Sequence, residues 1–178
     1  MFKFLISLLL LSSSAYANPP TFTVGTDSII NIQNTGTALN LGDDSMSGMK
    51  PLGFDFDFYG QTFDEVNISM NGFFTFQDNF SVPRYRNYLS ETIPATSFNY
   101  TVFPLWTDLI NRSGTQNPYI QTFGNTADTD QYFVVGWYNA KEYSNQLQNT
   151  FEAILYEGTN AIEFRYDKIQ IKTHDITI

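Results

Sequence analysis

The chain has 178 residues, with 18 Asp and Glu against 9 Lys and Arg, which gives a formal net charge of -9 at pH 7. This acidic balance disfavours nucleic acid and anionic membrane surfaces as partners, because binding to polyanions depends on clustered Lys and Arg. The sequence contains no cysteine, so the fold must rest on apolar burial without disulfides.

The first 17 residues have the order of a secretory signal peptide. Lys3 precedes an apolar run over residues 4–11, and Ala-Tyr-Ala at residues 15–17 forms a cleavage site. The apolar run is far shorter than the roughly 20 residues that a membrane helix needs. We therefore expect residues 1–17 to be a signal peptide and residues 18–178 to be one secreted domain without a membrane span. It would be extracellular or at the cell surface, or periplasmic in a Gram-negative source.

The composition of the remaining chain is typical of β structure. Aromatic residues make up 17% of the chain, more than the 15% of charged residues, and β-branched residues lie in short runs between Gly, Asn, Asp and Pro. Many short strands separated by turn signals predict an all-β antiparallel β-sandwich with at most a short helix, for which residues 84–91 are the best candidate. In chain order, the predicted strands are Phe22–Val24, Ser28–Ile32, Ala38–Leu41, Gly53–Tyr59, Glu65–Ser69, Phe73–Gln77, Tyr100–Pro104, Tyr119–Phe123, Gln131–Tyr138, Thr150–Tyr156, Ala161–Tyr166 and Ile176–Ile178.

The strand over residues 53–59 alternates aromatic and acidic side chains. Phe54, Phe56 and Phe58 fall on one face, and Asp55 and Asp57 on the other, because successive strand residues point to opposite faces. We interpret this pattern as a core strand with solvated carboxylates in preference to a carboxylate site.

Asn71 and Gly72 join the next two predicted strands. A two-residue turn would put Ile68 and Phe74 on opposite faces of the sheet, whereas a three-residue loop over residues 70–72 pairs them across the hairpin. The three-residue loop is favoured because it puts the apolar side chains of both strands on the same face of the sheet. This loop requires a positive φ at Gly72.

Several motifs in a fixed order carry a resemblance to a known family. In chain order they are GDD (42–44), LGFDFDFYG (52–60), VNISMNGFFTF (66–76), FPLWTDL (103–109), FVVGW (133–137) and the hairpin over residues 150–166. Together they resemble nidogen-like (NIDO) extracellular domains of the bacterial type, over residues 27–178. The resemblance implies a module of adhesive and matrix-associated proteins, without known catalytic residues or a well-defined ligand pocket. Residues 175–178 resemble the start of a last strand, so truncation at the C-terminal edge is left open.

Few residues are suited to catalysis. The only histidine is His174 and there is no thiol, which nearly excludes serine and cysteine triads and histidine-based zinc sites. Glu152 and Glu163 lie on facing strands of the 150–166 hairpin and form the remaining pair for a glycoside hydrolase, whose carboxyl groups lie about 5 to 9.5 Å apart. We expect both to be solvated residues of a sheet face, with Glu163 beside Arg165.

Calcium is considered at two loops. Asp43-Asp44 and Asp128-x-Asp130 offer the hard oxygen ligands that calcium prefers, but neither loop has the EF-hand spacing. Turn-forming Asp is the alternative at both loops, and the sequence leaves the choice open. We expect Asp108 to cap a turn after a core strand.

A platform for sugar rings would need exposed aromatic side chains. The candidates are Trp106, Trp137, Tyr138 and Tyr143. Because both tryptophans lie in apolar runs, we expect them to pack in the core. The tyrosines expected to reach solvent are Tyr138, Tyr143, Tyr85 and Tyr88.

The sequence therefore predicts a secreted, non-catalytic module for adhesion to a matrix or surface. Its partner would be an extracellular protein or glycan, and no catalytic, cofactor-binding or metal residue is assigned. The first alternative is a lectin-like carbohydrate-binding β-sandwich, which an exposed aromatic row with Asp or Asn at its rim would favour. The second is a secreted glycoside hydrolase, which a cleft holding both Glu152 and Glu163 would favour.

Overall fold

The computed structural model describes residues 25–78, 98–112, 114, 116–127 and 130–170. Within these ranges the structure is all β, and it holds no helix with the length and apolar character to cross a membrane. The strands are β1 (Thr37–Ala38), β2 (Met46–Phe58), β3 (Gln61–Ser69), β4 (Phe74–Thr75), β5 (Thr101–Val102), β6 (Leu109–Ile110), β7 (Pro118–Phe123), β8 (Tyr132–Glu142), β9 (Gln148–Tyr156) and β10 (Ile162–Lys168). The predicted strands at 22–24 and 176–178 and the candidate helix at 84–91 lie outside the described residues.

These strands form two antiparallel sheets that pack together. Sheet A has the order β1-β7-β8-β9-β10, and β6 pairs with the far end of β8. Sheet B has the order β2-β3-β4-β5. The predicted antiparallel β-sandwich is therefore confirmed.

The inner faces of the two sheets enclose one large apolar core. Strand β2 contributes Phe54, Phe56 and Phe58, which are buried, while Asp55 and Asp57 between them are exposed. The interpretation of this stretch as a core strand with solvated carboxylates is confirmed.

The hairpin of β3 and β4 has the predicted register. Ile68 is paired with Phe74, and both are fully buried. Gly72 has a φ of 77°, and the Ser69 amide donates to the Phe73 carbonyl at 2.8 Å. Burial of both side chains in one core has thus selected the three-residue loop.

One tryptophan joins the two sheets. Trp137 of β8 is fully buried and stacks on Phe151 of β9, with ring centroids 4.9 Å apart. Its Nε1 donates to the Ser69 carbonyl of β3 at 3.0 Å. The indole thus fills the core and also satisfies its one polar group, as buried tryptophans usually do. The expected core position of Trp137 is confirmed.

The predicted strand Ser28–Ile32 is wrong. Residues 28–33, here called the strap, lie over the outer face of sheet A without entering a ladder. Ile32 is buried there against Val134 and Ile154. The strap has the β-branched composition of a strand, but side chains of sheet A accept hydrogen bonds from its amides in place of a neighbouring strand.

Candidate functional site

Four loops meet at one end of the sandwich, and they are together called the loop end: residues 42–45, 70–72, 105–112 and 142–147. The fully buried Asn71 connects them. Its side-chain amide donates to Asp44 at 2.9 Å, its Oδ1 accepts from the Leu109 amide at 2.9 Å, and its carbonyl accepts from the Thr107 amide at 3.3 Å. The Tyr143 amide in turn donates to the Asp108 carbonyl at 2.8 Å. Loops from both sheets are thereby held as one surface.

Three carboxylates come together at the loop end. Oxygen atoms of Asp43, Asp44 and Asp108 all lie within 4.8 Å of one another. Burial, followed by the negative charges of Asp44, Asp43 and Glu142, raises the pKa of Asp108 to about 6. Burial and the neighbouring Asp44 also raise the pKa of Asp43. The structure thus places Asp108 in an acidic cluster, where the sequence had suggested a turn cap.

Carboxylate oxygens at this spacing are of the type that hard cations prefer, although exposed acidic groups also cluster commonly without an ion. The calcium hypothesis at Asp43 and Asp44 therefore stays a prediction. At the other loop considered for calcium, Asp130 is exposed and Asp128 lies outside the described residues. The neighbouring negative charges disfavour the ionised forms of Asp43 and Asp108.

We expect Asp108→Asn to raise the free energy of unfolding by about 1 kcal/mol at about pH 7.5 and to change it little at about pH 4. The pKa of Asp108 rises from 3.8 to about 6 on folding, so the folded protein holds this proton more tightly than the unfolded chain. Stability from this group is therefore present below about pH 4 and is lost as the pH rises through about 6. The full shift corresponds to about 3 kcal/mol, which we reduce because the side chain is partly exposed to solvent.

Urea denaturation in EDTA at both pH values measures this effect. Asp55→Asn is the control, since Asp55 is an exposed carboxylate outside the cluster. Destabilisation by Asp108→Asn in EDTA at the higher pH would contradict the prediction. Repeating the series with added calcium separates repulsion from cation binding, because a bound cation would reverse the sign of the effect.

The four aromatic residues considered for a sugar platform do not form one exposed surface. Tyr138 was expected to reach solvent, but it is only 1% exposed and packs under the strap. Trp137 is in the core, and Tyr85 and Tyr88 lie outside the described residues. Tyr138 is buried because the strap covers the outer face of β8. Alternation of side chains along a single strand does not reveal that both of its faces are covered.

Two aromatic side chains do reach the loop end. Tyr143 is 47% exposed, as expected, and the Arg112 guanidinium lies 5.3 Å from its ring centroid. Trp106 is partly buried against Phe73 and Phe103, and its buried Nε1 has no hydrogen-bond partner among the described residues. An exposed aromatic ring stacked with Arg is a frequent element of protein-binding surfaces.

Glu152 was expected to be a solvated residue of the sheet face, and this is wrong. Its carboxylate is fully buried beneath the strap. Oε2 accepts from the Ile30 amide at 2.9 Å, and Oε1 accepts from the Asn31 amide at 2.9 Å and from the Tyr138 hydroxyl at 2.5 Å. Burial and the hydrogen bond to Glu152 raise the pKa of Tyr138. Asn31 has a φ of 55°, which lets two successive amides converge on the anion.

Glu163, the other member of the candidate pair, has a different environment. Arg165 donates to it through Nε at 2.7 Å and Nη2 at 3.1 Å, and the Tyr156 hydroxyl donates at 2.6 Å. The hydrogen bonds from Arg165 lower the pKa of Glu163, while burial and Glu163 raise the pKa of Tyr156 to about 12. A carboxylate held ionised by Arg suits a structural role better than that of a general acid.

The chain matches the family described as NIDO related over residues 21–178. No curated protein and no solved structure matches it. The matched range includes both sheets, the strap and the loop end, and it agrees with the resemblance carried by the ordered sequence motifs. The protein therefore belongs to the NIDO-related family.

Proposed function

We propose that this protein is a secreted, non-catalytic adhesion module that binds an extracellular protein through the loop end. The observation that carries the proposal is the fully buried Asn71, which fixes loops from both sheets as one surface. A surface that is already fixed loses little conformational entropy when a partner binds. An extracellular location is consistent with the family and with the expected signal peptide over residues 1–17.

The chemistry of the loop end favours a particular class of partner. Tyr143 and Arg112 offer an aromatic ring and a guanidinium, two groups enriched among residues that dominate binding energy. The acidic cluster beside them and the net charge of -9 favour a partner with a basic or neutral surface. We therefore expect an extracellular protein with exposed Lys or Arg, and binding that weakens as salt is added.

The two alternative functions have less support. The lectin-like platform lacks Trp137 and Tyr138, which are buried, and the hydrolase alternative required an accessible Glu152. Glu152 has both oxygens occupied by hydrogen-bond donors and is fully buried. Because a general acid must reach the proton that it transfers, the interaction module is the function that the arrangement supports best.

We expect Tyr143→Ala to weaken binding to the protein partner by about tenfold or more, the effect of losing a residue central to an interface. The measurement uses residues 18–178 against an array of extracellular-matrix proteins, followed by biolayer interferometry of each protein that binds. Gln61→Ala is the control, since Gln61 is exposed at the start of β3, at the end of the β2–β3 hairpin away from the loop end. Loss of affinity by the control alone, or an array without any bound protein, would contradict the proposal.

A further inference from the structure

Strand β10 forms one edge of sheet A, and no strand of the described residues pairs with its outer side. Its pairing with β9 is regular from Ile162 to Tyr166 and shifts register before Lys168. An edge strand presents unpaired amides and carbonyls, which can template pairing with another chain. Sheet A can therefore be extended at β10.

The other sheet edges are less suited to strand addition. Strands β1, β5 and β6 have only two residues each. Strand β2 is long, but its register against β3 shifts twice, it contains Pro51, and the Asp57 amide already donates to Asn160 Oδ1 at 2.8 Å. Short strands, bulges and proline are the usual means of blocking an edge. Among the edges in the described part of the chain, β10 has the longest regular stretch without such a block.

The available backbone groups of β10 alternate along the strand. The Tyr156 amide donates to the Ala161 carbonyl at 3.0 Å, so these two residues form a hydrogen-bonded pair at the start of the β9–β10 ladder. Hydrogen-bonded and non-hydrogen-bonded pairs alternate in an antiparallel ladder. The amides and carbonyls of Ile162, Phe164 and Tyr166 therefore point away from β9, toward the outer edge.

The side chains of β10 are self-complementary when a second copy pairs with it in the antiparallel direction. With Phe164 opposite Phe164 of the second copy, Glu163 lies opposite Arg165, and Ile162 lies opposite Tyr166. Acidic and basic side chains then meet on the outer face, and apolar side chains meet on the face toward the core. Glu163 and Arg165 would form non-hydrogen-bonded pairs, in which opposite side chains come closest.

Charge disfavours the neighbouring registers. A ladder centred on Glu163 would put two carboxylates opposite each other, and one centred on Arg165 would put two guanidinium groups opposite each other. Like charges directly opposite each other destabilise an antiparallel pair. Within one chain Arg165 already donates to Glu163 at 2.7 Å. In the register centred on Phe164, the two ion pairs would join into a network of four charges with alternating sign.

We infer that β10 pairs with β10 of a second copy of this chain, centred on Phe164, so that two A sheets join into one continuous sheet. The dimer is symmetric, because each copy contributes the same strand to the interface. Pairing over one short strand buries little area, so we expect a weak dimer with a Kd of about 0.1 mM. The dimer would present two loop ends, but its formation does not depend on the function proposed for them.

Sedimentation equilibrium of residues 18–178 between about 1 µM and about 1 mM measures the association. We expect a reversible equilibrium between monomer and dimer. Glu163→Lys should raise the dimer Kd by about tenfold or more, because it puts a lysine opposite Arg165 twice in the symmetric interface. Glu65→Lys is the control: Glu65 is exposed on β3, and the substitution makes the same change of charge away from β10. It should dimerise like wild type.

Amide hydrogen exchange measured by NMR gives a second readout, which needs no variant. The amides of Ile162, Phe164 and Tyr166 should exchange about threefold more slowly at about 1 mM protein than at about 50 µM, because the fraction of free monomer falls by that factor. The amides of Glu163 and Arg165 already face β9 and should be protected equally at both concentrations. This alternation is specific to strand pairing at the outer edge.

A second variant acts on the backbone and not on the charge. Ile162→Pro removes one outward amide at the first residue of β10, where proline is tolerated. It should raise the dimer Kd by about fivefold or more, the effect of losing a hydrogen bond. Amide spectra outside β10 that match those of wild type verify that each variant is folded.

Several results would overturn the inference. They are a protein that stays monomeric at about 1 mM, folded Glu163→Lys and Ile162→Pro variants that both dimerise like wild type, and a dimer without the alternating protection. Equal protection of the three outward amides at both concentrations would also overturn it, because the edge would then be covered within one chain. Tyr143→Ala should dimerise like wild type, and Glu163→Lys should still bind the protein partner, so failure at β10 and failure at the loop end are distinguishable.

Discussion

Replacing Glu152 with alanine should lower the free energy of unfolding by about 4 kcal/mol, because three donors lose their acceptor at once and a buried donor without a partner costs about 1 to 3 kcal/mol. The donors are the amides of Ile30 and Asn31 and the hydroxyl of Tyr138. Release of the strap would also expose Ile32, which is 1% exposed in the folded protein. Urea denaturation followed by tryptophan fluorescence measures the loss, and hydrogen exchange should show faster exchange at the strap amides.

Two further variants distinguish the buried Glu152 from a carboxylate that is partly exposed at the surface. Glu152→Gln keeps the size and one acceptor oxygen but turns a second acceptor into a donor, so we expect a loss of about 2 kcal/mol. Glu163→Gln should cost less than about 1 kcal/mol, because the Glu163 side chain is 31% exposed and exposed ion pairs contribute little. Equal effects of the three substitutions would show that the strap is not held through Glu152.

Replacing Gly72 with alanine should lower the free energy of unfolding by about 3 to 4 kcal/mol. The left-handed conformation costs a non-glycine residue about 1 kcal/mol, and forcing extra volume into a packed site costs about 1 to 3 kcal/mol more. A Cβ at this position would lie 2.0 Å from the Leu105 carbonyl oxygen. Because the obstacle is backbone and not a flexible side chain, the loop over residues 105–108 would have to move.

Gly48→Ala is the matched control for this prediction. Gly48 has a φ of 68°, but a Cβ there would meet nothing within 4 Å. It should therefore cost only the conformational penalty of about 1 kcal/mol. Thermal and urea denaturation of both variants give the comparison. A loss at Gly72 no larger than the loss at Gly48 would show that the close approach of the two loops is not a constraint on the fold.

The sandwich could be predicted because its signals are local. Alternation of Phe54, Phe56 and Phe58 with Asp55 and Asp57 identifies a strand with one buried face, whatever the partner strand. The pairing of Ile68 with Phe74 likewise depends on residues only a few positions apart. In these stretches the local pattern and the global fold agree, which is usual for natural sequences.

The burial of Glu152 beneath the strap could not be predicted in the same way. Its position in β9 places it on the outer face of sheet A, and an outer face usually meets water. Whether a distant segment covers that face depends on contacts such as the one between Glu152 and Ile30, which are 122 residues apart. Three isoleucines at positions 29, 30 and 32 predicted a strand. The sequence did contain one signal: a segment with three isoleucines must bury them against some apolar surface, which here is the outer face of sheet A.

The acidic cluster was missed for a similar reason. Asp43 and Asp44 were considered as a loop pair, and Asp108 was interpreted from its own neighbours. Asn71 connects them by donating to Asp44 and accepting from Leu109. In the sequence Asn71 is explained entirely as a turn residue, so nothing local indicates that its side chain also bridges two loops.

Hydrogen–deuterium exchange on the complex with the protein partner tests recognition through the loop end most directly. We predict slower exchange at residues 42–45, 105–112 and 142–147, with exchange of the strap and of the β2–β3 turn unchanged. Protection confined to the outer face of sheet B, with the loop end unaffected, would contradict the account.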